Sequence, residues 1–289
     1  MNSSFSNQKL HDFVVHIEPT AKLSTDVPHL GYSLIEYALI ENHYIANPQS
    51  PMPNLIYYSN TDINIYDANT GDRLATQMAK GRYLQTQDTE LTAALNKQLD
   101  YLEIKLLADD YGGWLWHGDL EKLQLCDRQK YIAQLPPIPN ASAISDRLPQ
   151  VIAYIQQAMS TPNEYLWGGT VAPNYDCSGL MQAAFASVGI IIPRDAYQQE
   201  AFGDRLEGGQ LPQDLQIGDL IFFGNSTKAT HVGIYIGNDQ YIHSSGKEHG
   251  HNGIAISALQ GSDPVSKWYA QQLRGAARIV RSLPPIVPI

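Results

Sequence analysis

The sequence predicts an α+β chain: a small β-barrel followed by a mixed domain whose helices precede a central antiparallel sheet. Three observations predict it. Between residues 54 and 126, short β-rich runs alternate with turn segments, the pattern of a small barrel. From residue 144, apolar residues twice recur at helical spacing. From Gly218 onward, β-rich runs follow one another across tight glycine-containing turns. The reading divides the chain into an N-terminal extension (1–53), a barrel (54–126), a linker (127–143) and a second domain (144–289).

In the extension, Leu34, Ile35, Ala38 and Leu39 suggest one short amphipathic helix, and the proline-rich run Asn47 to Pro53 reads as a linker. The barrel strands are placed at Ile56–Tyr58, Ile63–Tyr66, Arg82–Gln85 and Leu102–Leu106. Asp67–Asp72 and Tyr111–Trp114 are read as turns between them. Pro136-Pro137-Ile138-Pro139 forms a stiff connection. A helix is predicted from Ile144, with Pro149 in its first turn and an apolar stripe of Val151, Ile152, Ile155, Ala158 and Met159. A second helix opens at Cys177 behind Asn174 or Asp176 as N-cap, buries Leu180, Ala184, Phe185 and Val188, and stops at Gly189. Strands follow at Gly218–Phe223, Thr230–Ile236 and Gln240–Ser244, with a final one over Ala276–Val280.

Composition removes several classes. A net charge of −10, with no basic run, argues against nucleic-acid binding. Two cysteines, Cys126 and Cys177, make neither a disulfide framework nor a zinc knuckle, and a reduced compartment is the simpler expectation. Met1–Leu10 lacks the basic start and apolar centre of an export signal, and Leu30–Ile40 is too short to span a bilayer. The expected location is therefore cytoplasmic, with no membrane partner.

The chemistry gathers on Cys177. In the first turn of a helix, unpaired N–H groups and the helix dipole favour a thiolate. An inert buried cysteine is the alternative; the polar Asp176-Cys177-Ser178 context and the histidines downstream favour a nucleophile. His231 and His243 share one hairpin. If Ile236 pairs with Gln240 across the three-residue loop Gly237-Asn238-Asp239, His243 lies opposite Gly233 and on the face of His231. His231 then holds an ion pair with the thiolate and protonates the leaving group, and His243 orients it. The backbone N–H of Cys177 and a nearby side chain serve the oxyanion. His249 and His251 read as exposed loop residues, and Trp167 and Tyr165 as core aromatics unless the site recruits them.

Five motifs occur in order: Tyr165-x-Trp167-Gly168-Gly169, Asp176-Cys177-Ser178-Gly179-Leu180, Gly218-Asp219-Leu220-x-Phe222-Phe223, His231-Val232-Gly233-Ile234-Tyr235 and Tyr241-x-His243-Ser244-Ser245-Gly246. Over residues 145–282 the chain resembles the NlpC family of papain-like cell-wall cysteine peptidases. Residues 55–125, with Arg73–Gln77 and Asp109–Leu115, are similar to the bacterial SH3-like domain of cyanobacterial γ-D-glutamyl-L-diamino-acid endopeptidases. The resemblance implies a papain-like α+β peptidase domain behind an SH3-like barrel, needing no cofactor and no metal. It implies a murein tripeptide or tetrapeptide substrate with a free N-terminal L-Ala, cut after D-Glu during wall-peptide recycling. Cys177, His231 and His243 match the catalytic positions, and Tyr165 matches an oxyanion-hole tyrosine. Asp176 and Ser178 flank the nucleophile where the free amine is held, and Tyr111 matches a barrel tyrosine that closes the far end of the cleft. Asp195 stands where many members carry serine and is read as a substrate contact of its own. Competing readings are an inactive murein-peptide binding protein, a zinc site built from Cys177, His231 and His243, and an amidase or acyltransferase on the same thiol.

Overall fold

Two antiparallel sheets of seven and six strands divide the chain at a long helix. The computed structural model describes residues 55–87, 91, 94–96, 98–206 and 214–288, all within one unit of the chain. The helix and linker expected within residues 1–53 lie outside the described residues.

The first sheet contains β1 (Leu55–Ser59), β2 (Ile63–Tyr66), β3 (Leu74–Met78), β4 (Tyr83–Thr86), β5 (Tyr101–Leu106), β6 (Gly112–Trp116) and β7 (Leu123–Cys126), in the order β3-β2-β6-β5-β4-β1-β7. Period-2 alternation points Ile63, Ile65, Leu84, Leu102, Ile104 and Leu115 into one apolar cluster. The segment read as a turn at Tyr111–Trp114 is mostly strand β6. Gly113 is there because β2 lies close: a Cβ on it would meet Ile65 Cγ2 at 2.5 Å and Tyr66 O at 2.9 Å. The chain reverses just before it, where Asp110 takes a left-handed φ of 58°.

The linker contains a short helix, α1 (Arg128–Ala133), and α2 (Ala141–Ser160) begins three residues earlier than predicted. Asn140 supplies the reason: its side chain caps the helix by accepting from Ala143 N at 2.9 Å. Pro149 is accordingly a helix-interior residue. Ile144, Val151 and Ile155 are buried against α3 (Cys177–Ser187), whose Leu180, Met181, Ala184 and Phe185 pack on the second sheet. A two-stranded ribbon, β8 (Thr170–Val171) with β9 (Asn174–Tyr175), leads into α3, and α4 (Ala196–Phe202) follows it.

The second sheet runs β10 (Asp204–Arg205), β15 (Leu273–Arg278), β11 (Leu220–Gly224), β12 (Ala229–Gly237), β13 (Gln240–Ser245) and β14 (Gly253–Ala258). α5 (Pro264–Ala270) precedes β15, capped by Asp263. The β12–β13 loop is a two-residue turn, Asn238 and Asp239, both with positive φ, as a tight type of hairpin demands. A bulge between Tyr235 and Gly237 takes up the residue that the expected three-residue loop would have held. Ile234 still pairs with Ile242, so the face assignment is the expected one.

The two sheets are held together by polar contacts. Gln77 of β3 clasps the ribbon: its Oε1 accepts from Thr170 N and Val171 N at 3.1 and 3.2 Å, and its carbonyl accepts from Thr170 Oγ1 at 2.9 Å. Gln182 of α3 donates to Asp109 Oδ2 at 2.7 Å. The C-terminal segment returns to the first sheet, where Ile286 N donates to Leu107 O and Tyr131 Oη donates to Ile286 O. Trp167 is 57% exposed rather than core, with the Arg73 guanidinium 5.6 Å from its ring centre. Among the described residues, no helix is long and apolar enough to cross a membrane.

Candidate active site

Cys177 is the first residue of α3, and Asp176 is its N-cap, accepting from Gly179 N at 2.6 Å. The same carboxylate accepts from Gly168 N at 2.9 Å, which draws the glycine-rich approach beneath the helix start. Its remaining capacity goes to Arg194, through Nη1 to Oδ1 at 3.1 Å and Nη2 to Oδ2 at 2.6 Å. Arg194 is 2% exposed. It also donates to Ser178 Oγ at 2.9 Å and, through Nε, to Thr76 Oγ1 of β3 at 2.9 Å. Asp176 and Ser178 are therefore committed to this buried ion pair. The expectation that Asp176 receives a substrate ammonium meets a carboxylate with no free face.

At the helix start, burial works against a thiolate. Cys177 is 6% exposed, and burial, then the Asp176 charge, push its thiol up to about 12, against N–H donation from Val232 and Ser178 and the Arg194 charge. That shift is worth about 4 kcal/mol, against about 0.3–2 kcal/mol for a helix dipole. Desolvation wins. Burial likewise holds His231 down, to about 3, and His243 well below the histidine range. In both the Cys177 thiol and the His231 imidazole, burial favours the neutral form, which works against the expected ion pair.

The hairpin brings the histidines together. His231 Nε2 lies 2.7 Å from His243 Nδ1, with ring planes nearly perpendicular. Gly233 makes the room: a Cβ there would meet Ile242 O at 2.9 Å and His243 Cβ at 3.2 Å. With Nε2 occupied, Nδ1 is the His231 nitrogen left for the thiol. Val232 N–H, one residue along β12, points at the Cys177 sulfur and places it against this strand. Tyr269 of α5 stacks on His231, with ring centres 4.3 Å apart.

Tyr165 bridges to Tyr175 at the entrance to the helix. Burial first, then the charges of Cys177 and Asp176, raise its hydroxyl and keep it a proton donor beside the thiol. Tyr111, from the turn before β6, reaches across from the first sheet to donate to Asp195 Oδ1 at 3.4 Å. Burial and the Asp195 charge push the Tyr111 hydroxyl up to about 12. Asp195 caps α4 and is half-buried, and burial raises its carboxyl. Arg194 and Lys228 pull that carboxyl the other way.

Sequence reasoning missed Arg194, Tyr269, Ser257 and His251. Arg194 sits in Pro193-Arg194-Asp195, directly after the apolar Ile190-Ile191-Ile192; a charge so placed is a signal for a buried partner. Asp263-Pro264 is an N-cap followed by proline, the mark of the helix that carries Tyr269. The alternation Gly253–Ala258 marks β14, which carries Ser257. His251 is the exposed loop residue expected, and its Nε2 lies 3.1 Å from Ser257 Oγ. Among the described residues no cluster of three His, Cys, Asp or Glu is placed to hold a metal, and both cysteines are free and buried.

A cysteine at a helix start, packed against a histidine hairpin, is an arrangement able to supply a thiol nucleophile and a base. Residues 162–274 match the NlpC/P60 family. The chain is 36% identical over 117 residues to a Haemophilus influenzae protein described as a probable endopeptidase NlpC homolog, covering 40% of this chain and 55% of that one. It is 35% identical to the Escherichia coli murein DD-endopeptidase MepS/murein LD-carboxypeptidase, over 33% of this chain and 47% of the relative. The Bacillus subtilis bifunctional muramidase/DL-endopeptidase CwlT is 34% identical over 40% of this chain and 32% of its own length. The chain spans about half the length of the first two relatives. Among solved structures, the NlpC/p60 domain of the peptidoglycan hydrolase SagA aligns with a TM-score of 0.37 and 25% identity, over 46% of this chain and 98% of that one.

Proposed function

We propose that the protein is a cysteine endopeptidase that hydrolyses the amide between the γ-carboxyl of D-Glu and a diamino acid in murein peptides with a free N-terminal L-Ala. The observation that carries the reading is the Cys177 helix start facing β12, with His231 and His243 joined at 2.7 Å on one hairpin. Murein appears in the name of MepS, which supports the substrate class.

Catalysis starts from the neutral pair. His231 Nδ1 takes the thiol proton as the sulfur attacks the carbonyl carbon. The oxyanion receives the N–H of Cys177 and the hydroxyl of Tyr165. His231 returns the proton to the leaving amine, and water then hydrolyses the thioester. His243 fixes the ring orientation.

The free amine is assigned to Asp195, in place of Asp176. Asp195 is half-buried and has Tyr111 as its long-range partner, so one carboxylate face remains open to an ammonium. Tyr111 then forms the end wall that excludes peptides extended at the N-terminus. We take the seven-stranded sheet as an SH3-like module that contributes this wall, residues 54–126 and 144–289 as the two domains, and the cytoplasm, where recycled wall peptides carry free amines, as the site of action.

Mass spectrometry of the products from L-Ala-γ-D-Glu-diaminopimelate, beside its N-acetylated form, tests the proposal with wild type and Cys177→Ala. Release of L-Ala-D-Glu from the free tripeptide alone, and by wild type alone, is the expected result. Equal cleavage of the acetylated peptide removes the amine pocket and keeps the peptidase. No cleavage of either peptide by folded wild type favours the binding-protein reading, and a transferred acyl product favours the acyltransferase.

A further inference from the structure

The histidine pair does not end at His243. His243 Nε2 lies 3.0 Å from Ser257 Oγ, and Ser257 Oγ lies 3.1 Å from His251 Nε2. His243 and Ser257 are buried, whereas His251 is exposed. Resting on the assignment of Cys177 and His231 as nucleophile and base, we propose that Ser257 and His251 complete a proton chain that places the positive charge accompanying the thiolate on His251, at the protein surface.

The hydrogen count makes the chain directional. For His231 Nδ1 to accept the thiol proton, its own hydrogen sits on Nε2 and is donated to His243 Nδ1. His243 then carries its hydrogen on Nε2 and donates to Ser257 Oγ, and Ser257 donates to His251 Nε2. As the thiol proton passes to His231 Nδ1, the Nε2 proton moves to His243 Nδ1. The His243 Nε2 proton moves to Ser257, and the Ser257 hydroxyl proton moves to His251 Nε2. The products are a thiolate, two neutral buried imidazoles, a neutral serine and one exposed imidazolium. No proton is gained or lost, and reversing the shifts returns the proton to the leaving amine.

This resolves the difficulty of the neutral site. Burial opposes a cation on either inner ring. Water solvates one at His251. A protonated His251 turns its Nε2 into a donor and closes the chain, so His251 gates the thiol.

The groups around the chain are Tyr241 and Ser245 on β13, with Ser245 Oγ accepting from His251 N at 2.9 Å. From α5 come Tyr269, whose ring centre is 4.9 Å from that of His243, and Trp268, which stacks on His249. Asp263 caps that helix, and Lys247 and Glu248 share the loop of His251. His251 is a positioning residue here, acting through three other groups.

The test measures alkylation of Cys177 by iodoacetamide from pH 5 to 9, read by peptide mapping, in wild type, His251→Gln and Ser257→Ala. Wild type is expected to lose reactivity through one acid step. Both variants are expected to lose that step and to react at least tenfold more slowly at neutral pH. Wild-type rates and an unchanged acid step in both variants overturn the chain. If Ser257→Ala fails to fold, the exposed His251→Gln decides alone. The readout needs no peptide: alkylation that follows the expected pattern in a protein that cleaves no murein peptide sinks the peptidase reading and leaves the chain standing.

Discussion

The two flanks of Cys177 handle charge in opposite ways. On the helix side, Asp176 and Arg194 pair with and saturate each other, with two backbone N–H groups and the Ser178 and Thr76 hydroxyls completing the set. On the strand side, His231 and His243 are buried and uncharged, joined by a hydrogen bond and stacked aromatics. The difference teaches why burial favours the neutral thiol. One flank has paired its charges and the other has excluded them, so the N–H groups of Val232 and Ser178 and the Arg194 charge only partly offset the cost of burying a thiolate.

The comparison breaks first at Arg194. Arg194→Met strands a buried carboxylate and is expected to cost about 3–5 kcal/mol in urea unfolding; Asp176→Asn with Arg194→Met should recover part of it. A cost under about 1 kcal/mol for the single variant contradicts the ion pair as drawn.

The strand flank should respond to pH instead. His231 has its folded-state value lowered, to about 3, so the unfolded chain binds more protons below neutrality. Its stabilisation is present above the unfolded histidine value near 6.5 and is lost as pH falls toward 3. Between pH 7 and pH 5 the expected loss is about 2 kcal/mol from His231. His243 adds a loss of the same sign. Urea midpoints that stay level over this interval contradict two buried neutral histidines.

Thr76→Val removes the acceptor of Arg194 Nε from the neighbouring sheet, and a loss of about 1–3 kcal/mol is expected by the same unfolding assay. Asp195→Asn is the mildest change in stability, under about 1 kcal/mol, because asparagine caps a helix as well as aspartate. Its effect is expected in KM for free-amine peptides. A change in kcat alone removes Asp195 from the amine pocket.

Local pattern carried much of the fold. Alternation located β2 and β5, a capping aspartate and a periodic stripe located α3, and two-residue periodicity put His231 and His243 on one face although the turn between them differs. What failed was glycine inside a strand: Gly112-Gly113 reads locally as a turn, and the approach of β2 explains Gly113. The site was legible where chemistry shows in a motif. The partner of Asp176 was not, because Arg194 meets it only after α3 and α4 pack, and Thr76 joins from another sheet. His251 is the surface residue it reads as, and its contact with Ser257 was not legible because β14, which carries Ser257, follows a glycine-rich loop.

The central claim is that the Cys177 sulfur attacks the peptide carbonyl. Trapping tests it most directly: wild-type protein is mixed with L-Ala-γ-D-Glu-diaminopimelate, quenched in acid within one turnover and mapped by mass spectrometry. The account predicts the mass of an L-Ala-γ-D-Glu acyl group as a hydroxylamine-sensitive thioester on the peptide containing Cys177. Product formation with the acyl group on another residue, or undiminished cleavage by Cys177→Ala, would contradict it.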